Sequence, residues 1–600
     1  MRLAFIFLFI AFSILIQPVS AFEVQKTIRA VAVTSGDNPE GVVINITVSI
    51  NPGNGRVFVS TTPFTEIDMQ GSAQLSALTA CDLLGIDFTK FDFFYIIEAD
   101  APIVGGPSAG AVMTIATISA LKNLSLNENV YMSGMIYPDG FIGPVGGLNY
   151  KLEAVSKNGG KIFLIPHGQR VVLVAENVVR KVGMINIVTT NYKEVDLREY
   201  GKQLGVDVVE VATINDALKY FTGYEIKKKE ISFAIAEYSG ILKTLADRMR
   251  ESVGSLEEYT TPDAKNILSK AESDYNAGNY YSATSKFFNA KILMRYEMYK
   301  KKLISAQQFD EEVEKIRGDI ATLRDYLKKE SIGINSIQII AAAQERVAEA
   351  ENSLESAVNS KSYSEALQNL AYAKERLDSA KVWLSILPKF KEDYQLNTTE
   401  IKKRAEFYIN QANSVIVYAS SLNAYSDLID NAYKSLEIAK KLYSDEQYAG
   451  AVFVALDAIT EASLSIEAGY GNISLKLDER RENAKVALSE AEEVSYPVLP
   501  AAYFEFAETA DNSYVKLMYY SLAERIAKFI TVIAESSGEK ELTHAEFKEV
   551  PTTQQKSAIK EILRTPGFEG VLAIGAIAVI FLNNIRRGGK QIRRRESQEN

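Results

Sequence analysis

Proline is nearly absent from a long stretch of this 600-residue chain. Between residues 226 and 549 it occurs only at Pro262, Pro388, Pro497 and Pro500, while Ala, Glu, Lys, Leu, Ser and Tyr dominate. Proline breaks a helix because it lacks the backbone N–H and clashes with the preceding turn, whereas Ala, Leu, Glu and Lys are good helix formers. The composition therefore predicts an all-α region over residues 226–549.

A weak repeat runs through this predicted helical region. Tyrosine, small residues and alanine cluster at residues 280–283, 363–366 and 448–451, so that Ala283, Ala366 and Ala451 lie 83 and 85 residues apart. Each cluster follows a polar turn and begins an apolar-periodic segment, as in helical hairpins whose small residues permit close crossing. The pattern predicts stacked hairpins or a bundle, with a further copy at residues 519–523. Coincidental similarity between Ala- and Tyr-rich helices is the alternative.

The region before residue 226 has a mixed pattern. Apolar segments at 28–34, 42–50 and 56–61 predict strands, and the turn residues at 51–55 separate the second from the third, so we expect a meander. Helical periods follow at 72–84 and 108–122, with further strands at 93–97, 161–165 and 206–211. Residues 22–225 are thus predicted to form an α/β domain of ordinary size, with α+β as the alternative.

Composition narrows the classes of function. A net charge of -10 argues against a general nucleic-acid binder, and the single Cys81 excludes an intrachain disulfide. Two histidines, His167 and His544, leave little material for a zinc site or a histidine-based triad. We therefore expect no metal, no cofactor and no nucleic acid. We interpret His167 as a strand-end residue and Cys81 as a buried small hydrophobe.

The N-terminal residues resemble an export signal. Residues 1–21 contain Arg2, an apolar run at 3–16 and a small-x-small pattern that ends at Ala21. This pattern predicts a secretory signal peptide cleaved after Ala21. An uncleaved N-terminal anchor is the alternative, and either one places the bulk of the chain outside the cytoplasm.

The C-terminal residues predict a membrane anchor. An apolar run at 570–582 precedes a basic cluster that includes Arg586 and Arg587. We expect a linker at 550–567, a transmembrane helix at 568–585 and a cytoplasmic tail at 586–600. The sequence Pro-Gly-Phe at 566–568 also resembles the archaeal sorting signal that archaeosortase-type transpeptidases process. That resemblance implies a lipid anchor in place of the helix.

One serine and one lysine stand out as candidates for catalysis. Ser108 lies among small residues at the predicted start of a helix, where backbone N–H groups around Gly106, Ala109 and Gly110 can stabilise an oxyanion. With histidine scarce, lysine is the remaining base, provided that burial lowers its pKa from about 10.4 toward neutrality. Lys151 follows a Gly-Gly turn and begins an apolar-periodic helix, so we expect its side chain to be held against the domain. A helix cap and a solvated lysine are the structural alternatives.

These segments resemble the proteolytic domain of Lon proteases. The matching motifs are Pro-Ser-Ala-Gly at 107–110, Met-Ser-Gly at 132–134, Gly-x-Ile-x-Pro-x-Gly-Gly-Leu at 140–148, Gly-Gly-Lys at 159–161 and Leu-Ile-Pro at 164–166. The similarity covers about residues 22–216. By this resemblance Ser108 attacks the peptide carbonyl, Lys151 serves as general base and then acid, and Ser133 orients the lysine amine.

The chain also departs from the family pattern. Gly105 and Met135 stand where family members often carry acidic residues, and we expect Glu98 or Asp100 to supply the local charge instead. The chain has no G-x-x-x-x-G-K-[ST] phosphate loop, so we expect no ATPase. The prediction is a membrane-anchored, ATP-independent Ser-Lys endopeptidase that cuts unfolded or flexible polypeptides, with homo-oligomers allowed. A catalytically inactive peptide-binding scaffold and a self-processing surface protein are the alternatives.

Overall fold

The computed structural model describes residues 24–34, 39–65, 67–104, 106–182, 185–227, 231–390, 393–422, 424–470 and 473–537. The chain divides into two compact units between Lys227 and Lys228. The predicted signal peptide, linker, transmembrane helix and basic tail lie outside the described residues, as do Gly105 and His544.

The first unit mixes strands and helices, as expected from its sequence. Its strands are β1 (Val24–Val33), β2 (Gly41–Pro52), β3 (Arg56–Thr65), β4 (Phe91–Val104), β5 (Val130–Met132), β6 (Met135–Ile136), β7 (Ile142–Gly143), β8 (Ile162–Pro166), β9 (Val171–Val182), β10 (Ile185–Asp196) and β11 (Asp207–Val211). Its helices are α1 (Ile67–Leu84), α2 (Gly110–Leu121), α3 (Leu148–Lys157), α4 (Leu197–Leu204) and α5 (Ile214–Thr222).

The first sheet has the strand order β1-β2-β4-β3, so the predicted meander is wrong. β4 lies between β2 and β3, antiparallel to β2 and parallel to β3. The connection between β2 and β3 is bonded to the start of β4. There the Asp92 carboxylate accepts hydrogen bonds from the N–H groups of Asn54 and Arg56, both at 2.9 Å. The turn residues were identified correctly, but they separate two strands that do not pair.

The site-bearing elements are packed against two sheets. α2 contacts β1 and β2, and its residues from Gly110 to Ala120 are all buried. The second sheet, β11-β8-β5, is parallel, and β8 runs through its centre. Leu152 and Val155 of α3 join Phe163 of β8 in one apolar cluster. Because α2 and α3 are both anchored by buried apolar side chains, the residues at their N-terminal ends are held in fixed positions.

The described part of the second unit is helical, apart from connecting turns. Its helices are α6 (Ser239–Val253), α7 (Pro262–Asn276), α8 (Tyr280–Lys302), α9 (Ala306–Lys329), α10 (Ser336–Val358), α11 (Tyr363–Leu384), α12 (Thr398–Ser421), α13 (Ser426–Ser444), α14 (Tyr448–Tyr470), α15 (Ile473–Glu492), α16 (Val498–Thr509) and α17 (Ser513–Ser536). Within these residues, the segment Tyr448–Gly469 is long and apolar enough to cross a membrane, yet 89% of an 18-residue stretch of it is buried inside the protein, as in a core helix.

The repeated tyrosine clusters mark real helix starts. α8, α11 and α14 begin at Tyr280, Tyr363 and Tyr448, and each packs against the helix before it: α7, α10 and α13. The predicted hairpins are therefore confirmed. The fourth copy is wrong, because Tyr519 lies inside α17. That helix begins earlier, where the Asn512 side chain caps it by accepting hydrogen bonds from the backbone N–H groups of Tyr514 and Val515.

Candidate active site

Ser108 lies in a short 3-10 helix, Pro107–Ala109, that leads into α2. Its side chain is half-buried, whereas Ala109 and Gly110 are buried. Gly106 has a φ of 92°, in the region that favours glycine. A Cβ added to Gly110 would come within 2.6 Å of the Ile136 side chain, so the start of α2 requires a residue without a side chain. Gly106 thus permits the turn before Ser108, and Gly110 permits the close approach of Ile136.

Lys151 is buried in the first unit, as expected from its sequence context. It lies in the first turn of α3 with 3% of its surface exposed, and its Nζ donates a hydrogen bond to Ser133 Oγ at 3.1 Å. Among the described residues no carboxylate lies within ion-pair distance of this amine. Burial without a counter-charge lowers the pKa of Lys151 from 10.5 to about 8.

Ser133 connects the lysine to residues 107–110 around Ser108, here called the nucleophile segment. Its hydroxyl, which accepts from Lys151, also lies 3.4 Å from the carbonyl oxygen of Ser108, and the Gly134 N–H donates to the same oxygen at 2.9 Å. The Ser133 N–H donates to the Leu164 carbonyl of β8 at 3.2 Å, so the bridging serine is itself held by the second sheet. The three residues Ser108, Ser133 and Lys151 are therefore brought together.

The side chains of Ser108 and Lys151, the two candidate catalytic residues, are not bonded directly to each other. Within the described residues, no hydrogen bond joins Lys151 Nζ to Ser108 Oγ. Catalytic hydrogen bonds often tighten only when substrate is bound. An amine with a pKa of about 8 is partly unprotonated near neutral pH, so it can accept a proton from a serine hydroxyl. Three of the expected oxyanion donors are already engaged: the Gly106 N–H donates to Asp68, the Gly110 N–H to the Pro107 carbonyl and the Ala111 N–H to the Gly134 carbonyl. An oxyanion must therefore be met by other backbone N–H groups close to Ser108.

The glycine-rich segment before Lys151 is held by a side-chain amide. Gln169 makes two hydrogen bonds to Val145: its Oε1 accepts from the Val145 N–H and its Nε2 donates to the Val145 carbonyl, both at 2.9 Å. Gly147 then caps α3 with a φ of 67°. Sequence reasoning missed Gln169, which lies outside the recognised motifs.

The carboxylate near the nucleophile segment comes from an unexpected place. Glu98 is exposed in β4, and the side chain of Asp100 is not among those described. Both carboxylate oxygens of Asp68 accept from the Gly106 N–H, at 3.1 and 3.0 Å. Sequence reasoning missed Asp68 because the helix was predicted to begin at residue 72, whereas α1 begins at Ile67 and places Asp68 in its first turn.

The remaining candidate residues lie where their sequence context indicated. His167 is exposed in the turn after β8. Cys81 is buried in α1, and desolvation raises the pKa of its thiol. Among the described residues, no group of three His, Cys, Asp or Glu side chains is arranged to hold a metal ion.

Residues 23–195 match the family model of the Lon protease (S16) C-terminal proteolytic domain. The relatives include the Lon protease of Buchnera aphidicola, 39% identical over 134 residues that make up 21% of this chain and 17% of that protein. The Lon protease of Mycoplasma mobile is 30% identical over 205 residues, 32% of this chain and 22% of that protein. The Lon protease of Azospirillum brasilense is 28% identical over 198 residues, 32% of this chain and 21% of that protein.

The similarity concerns the first unit. The chain spans about a fifth of the length of these relatives. Within that part, the match to a Lon proteolytic domain supports a serine peptidase. The matched range ends at residue 195, so it leaves the helical unit outside.

Proposed function

We propose that this chain is a membrane-anchored, extracytoplasmic serine endopeptidase that cuts unfolded or flexible polypeptides with a Ser108/Lys151 dyad and without ATP. The observation that carries the proposal is the buried amine of Lys151. It has no carboxylate partner among the described residues, and it donates to Ser133, whose hydroxyl also reaches the backbone of Ser108. The Lon-type match of the same residues supports the class of enzyme.

The proposed reaction proceeds through an acyl-enzyme. Ser108 Oγ attacks the peptide carbonyl while neutral Lys151 takes the hydroxyl proton, and a backbone N–H group beside Ser108 stabilises the oxyanion. Lys151 then gives this proton to the leaving amine, and the new amino terminus departs. Water attacks the ester, Lys151 accepts a proton from that water and returns it to Ser108 Oγ, and the carboxylic acid product leaves. Ser133 holds the lysine amine in place throughout.

The proposed substrate class follows from the absence of an unfolding activity in the proposed mechanism. A peptide must lie extended to expose its carbonyl, and the 600 residues contain no phosphate loop for an unfolding motor. Unfolded proteins, flexible loops and short peptides meet this requirement without an input of energy.

The enzymatic part is tested by degradation of casein by the full-length chain in mild detergent without nucleotide. The wild type and a matched control, His167→Ala, are expected to cleave at the same rate, because His167 is exposed in a turn. Ser108→Ala is expected to be at least about a thousandfold slower, as for other removed serine nucleophiles. A wild type that is folded and inert would favour the peptide-binding scaffold. A specific fragment of the chain itself, formed only with Ser108 intact, would favour self-processing.

The location is tested separately. The predicted signal peptide and C-terminal anchor place the bulk of the chain outside the cell membrane. Added proteinase should therefore degrade the helical unit in intact cells, and the protein should stay with the membrane fraction in high salt. Protection from added proteinase in intact cells, with degradation after lysis, would contradict this location. Mass spectrometry of the mature C-terminus distinguishes a retained helix from a processed lipid anchor.

A further inference from the structure

The first turn of α1 reaches the backbone immediately before the nucleophile segment. Asp68 accepts the Gly106 N–H with both carboxylate oxygens. Hydrogen bonds to an ionised acceptor are roughly twice as strong as neutral ones. The space beside the Cα of Gly106 is open, because a Cβ built there would meet no atom within 4 Å. No neighbouring side chain therefore packs against this residue at that point. The bond to Asp68 therefore restrains a position that is otherwise open.

Two further polar residues continue along the same face of α1. Ser72 Oγ lies 3.5 Å from the carbonyl oxygen of Pro107. Ser76 Oγ lies 2.8 Å from the carbonyl oxygen of Gly110 and 2.7 Å from that of Ser72, so its one proton is shared between the two. Asp68, Ser72 and Ser76 are four residues apart, which is the spacing of neighbours along one helix face. Both serines are completely buried.

These contacts hold the nucleophile segment from one side, while β5 and β6 hold it from the other. The connection between those strands supplies the Gly134 N–H, which donates to the Ser108 carbonyl at 2.9 Å. A segment with hydrogen bonds on both sides has little freedom to rotate Ser108 away from a substrate. Preorganisation of this kind matters for catalysis, because a displacement of about 1 Å costs about a hundredfold in rate.

We infer that Asp68 is a positioning residue for the nucleophile segment. Ser72 and Ser76, on the same face of α1, add further contacts to that segment. The Asp68 carboxylate fixes Gly106, so that Ser108 Oγ and the N–H groups after Pro107 keep the orientation needed for attack. Asp68 acts through the backbone and does not touch the substrate. This inference rests on the proposed peptidase function.

The kinetic test uses the full-length chain in mild detergent and a short fluorogenic peptide that the wild type cleaves. Asp68→Ala is expected to lower kcat by about 10- to 100-fold and to change KM by less than about threefold, because substrate binding surfaces are untouched. Asp68→Asn should keep kcat within about fivefold, because its Oδ1 still accepts the Gly106 N–H. Gln70→Ala, an exposed residue in the same turn, is the matched control and should behave as the wild type.

A second measurement does not depend on turnover. Hydrogen–deuterium exchange of a peptide covering residues 106–110 should be faster in Asp68→Ala than in the wild type, and unchanged in Gln70→Ala. A thermal melt checks that each variant is folded. If Asp68→Ala does not fold, the test is made with Asp68→Asn alone, compared with the wild type and Gln70→Ala.

The outcomes separate the two claims. An inert wild type overturns the proposed function, and this inference falls with it. An active wild type with an equally active Asp68→Ala overturns the inference alone. If Asp68→Asn is as slow as Asp68→Ala, a charge effect replaces positioning and the inference is again wrong. Slow turnover and fast exchange in Asp68→Ala, with near-normal values in Asp68→Asn, support it.

Discussion

Each unit of the chain buries a lysine, and the two lysines have different neighbours. Lys151 in the first unit is 3% exposed and donates to the Ser133 hydroxyl. Lys291 in α8 of the second unit is 1% exposed and lies 3.1 Å from the carboxylate of Glu375, which is itself fully buried. Both ammonium groups are buried, but within the described residues only Lys291 has a counter-charge.

The difference shows in the protonation of the two sites. Burial lowers the pKa of Lys151 to about 8, and no carboxylate in the described part of the chain opposes that effect. At the other site burial raises the pKa of Glu375 to about 7, against the opposing effect of Lys291 and Arg295. A paired buried lysine is part of the structure, whereas an unpaired one is close to releasing its proton and is available for chemistry.

Other charges in the helical unit follow the same rule. Lys374 Nζ lies 3.0 Å from Asp378, and both side chains are buried. Burial alone would raise the pKa of Asp378, but Lys374 and Lys381 lower it to about 2. In the described part of this unit, these buried cations are held by carboxylates. The contrast with Lys151 can be tested by exchanging each lysine for a neutral residue of similar length.

The largest effect is expected for Lys151→Met. Removing the proposed base should slow casein cleavage by at least about a thousandfold, because Ser108 loses its proton acceptor. Lys291→Met, the matched change in the helical unit, should leave cleavage by the folded protein within about twofold. Initial rates of both variants, measured where both are folded by circular dichroism, decide the point. Equal activity in the two variants would remove the distinction drawn between these lysines.

The next effect is a loss of stability in Lys291→Met. Lys291→Met leaves the buried Glu375 with one cation, Arg295, whose Nε lies 3.4 Å from it, and we expect the free energy of unfolding to fall by at most roughly 3 kcal/mol. Adding Glu375→Gln should restore only part of the loss, because the amide needs no counter-charge but Arg295 then loses its carboxylate partner. Urea unfolding of the single and double variants measures this coupling. A double variant no more stable than Lys291→Met would show that packing, and not the charge, accounts for the loss.

Activity should depend on pH through Lys151. The base must be neutral, so with a pKa of about 8 the value of kcat/KM is expected to rise about 50-fold between pH 6 and pH 8. The same group affects stability. Because the folded protein binds fewer protons at Lys151 than the unfolded chain between about pH 8 and 10.5, this contribution to stability rises with pH across that window.

A pH series of initial rates, with folding monitored at each point, measures the first effect. In urea unfolding, Lys151→Met should be more stable than the wild type at pH 7 and lose that advantage toward pH 10. A flat pH–rate profile, or one that falls between pH 6 and 8, is incompatible with an unprotonated Lys151 as the base.

The smallest effect is expected at Ser133, which connects Lys151 to the backbone of Ser108. Ser133→Ala removes the acceptor of the Lys151 amine and should lower kcat by about tenfold through misorientation of the base. Ser133→Thr keeps a hydroxyl and should stay within about threefold. Steady-state kinetics on one peptide substrate compare the two. If Ser133→Thr is slower than Ser133→Ala, the hydroxyl does not orient the lysine.

Local patterns in the sequence predicted local features of the fold well. Burial of Lys151 followed from the Gly-Gly turn and the apolar period of the helix that it begins. The starts of α8, α11 and α14 followed from tyrosine clusters after polar turns. In each case neighbours within a few residues supply the determining interactions. The catalytic roles of Ser108 and Lys151 remain predictions.

Features that depend on distant pairing were missed. The turn at residues 51–55 is visible in the sequence, but β4, which lies between β2 and β3, comes some forty residues later. Tyr519 resembled a helix start, yet the cap at Asn512 begins that helix one turn and more before it. Asp68 showed no signal, because its partner Gly106 lies on another element.

The sequence by itself determined the α/β and all-α regions and the candidate nucleophile and base, because periodicity, turn residues and motif spacing act over short distances. Only the tertiary structure decided which carboxylate reaches the nucleophile segment and which buried lysine has a partner. Those properties depend on side chains from separate elements that meet in a medium of low dielectric, where the presence or absence of one counter-charge changes the protonation of a group.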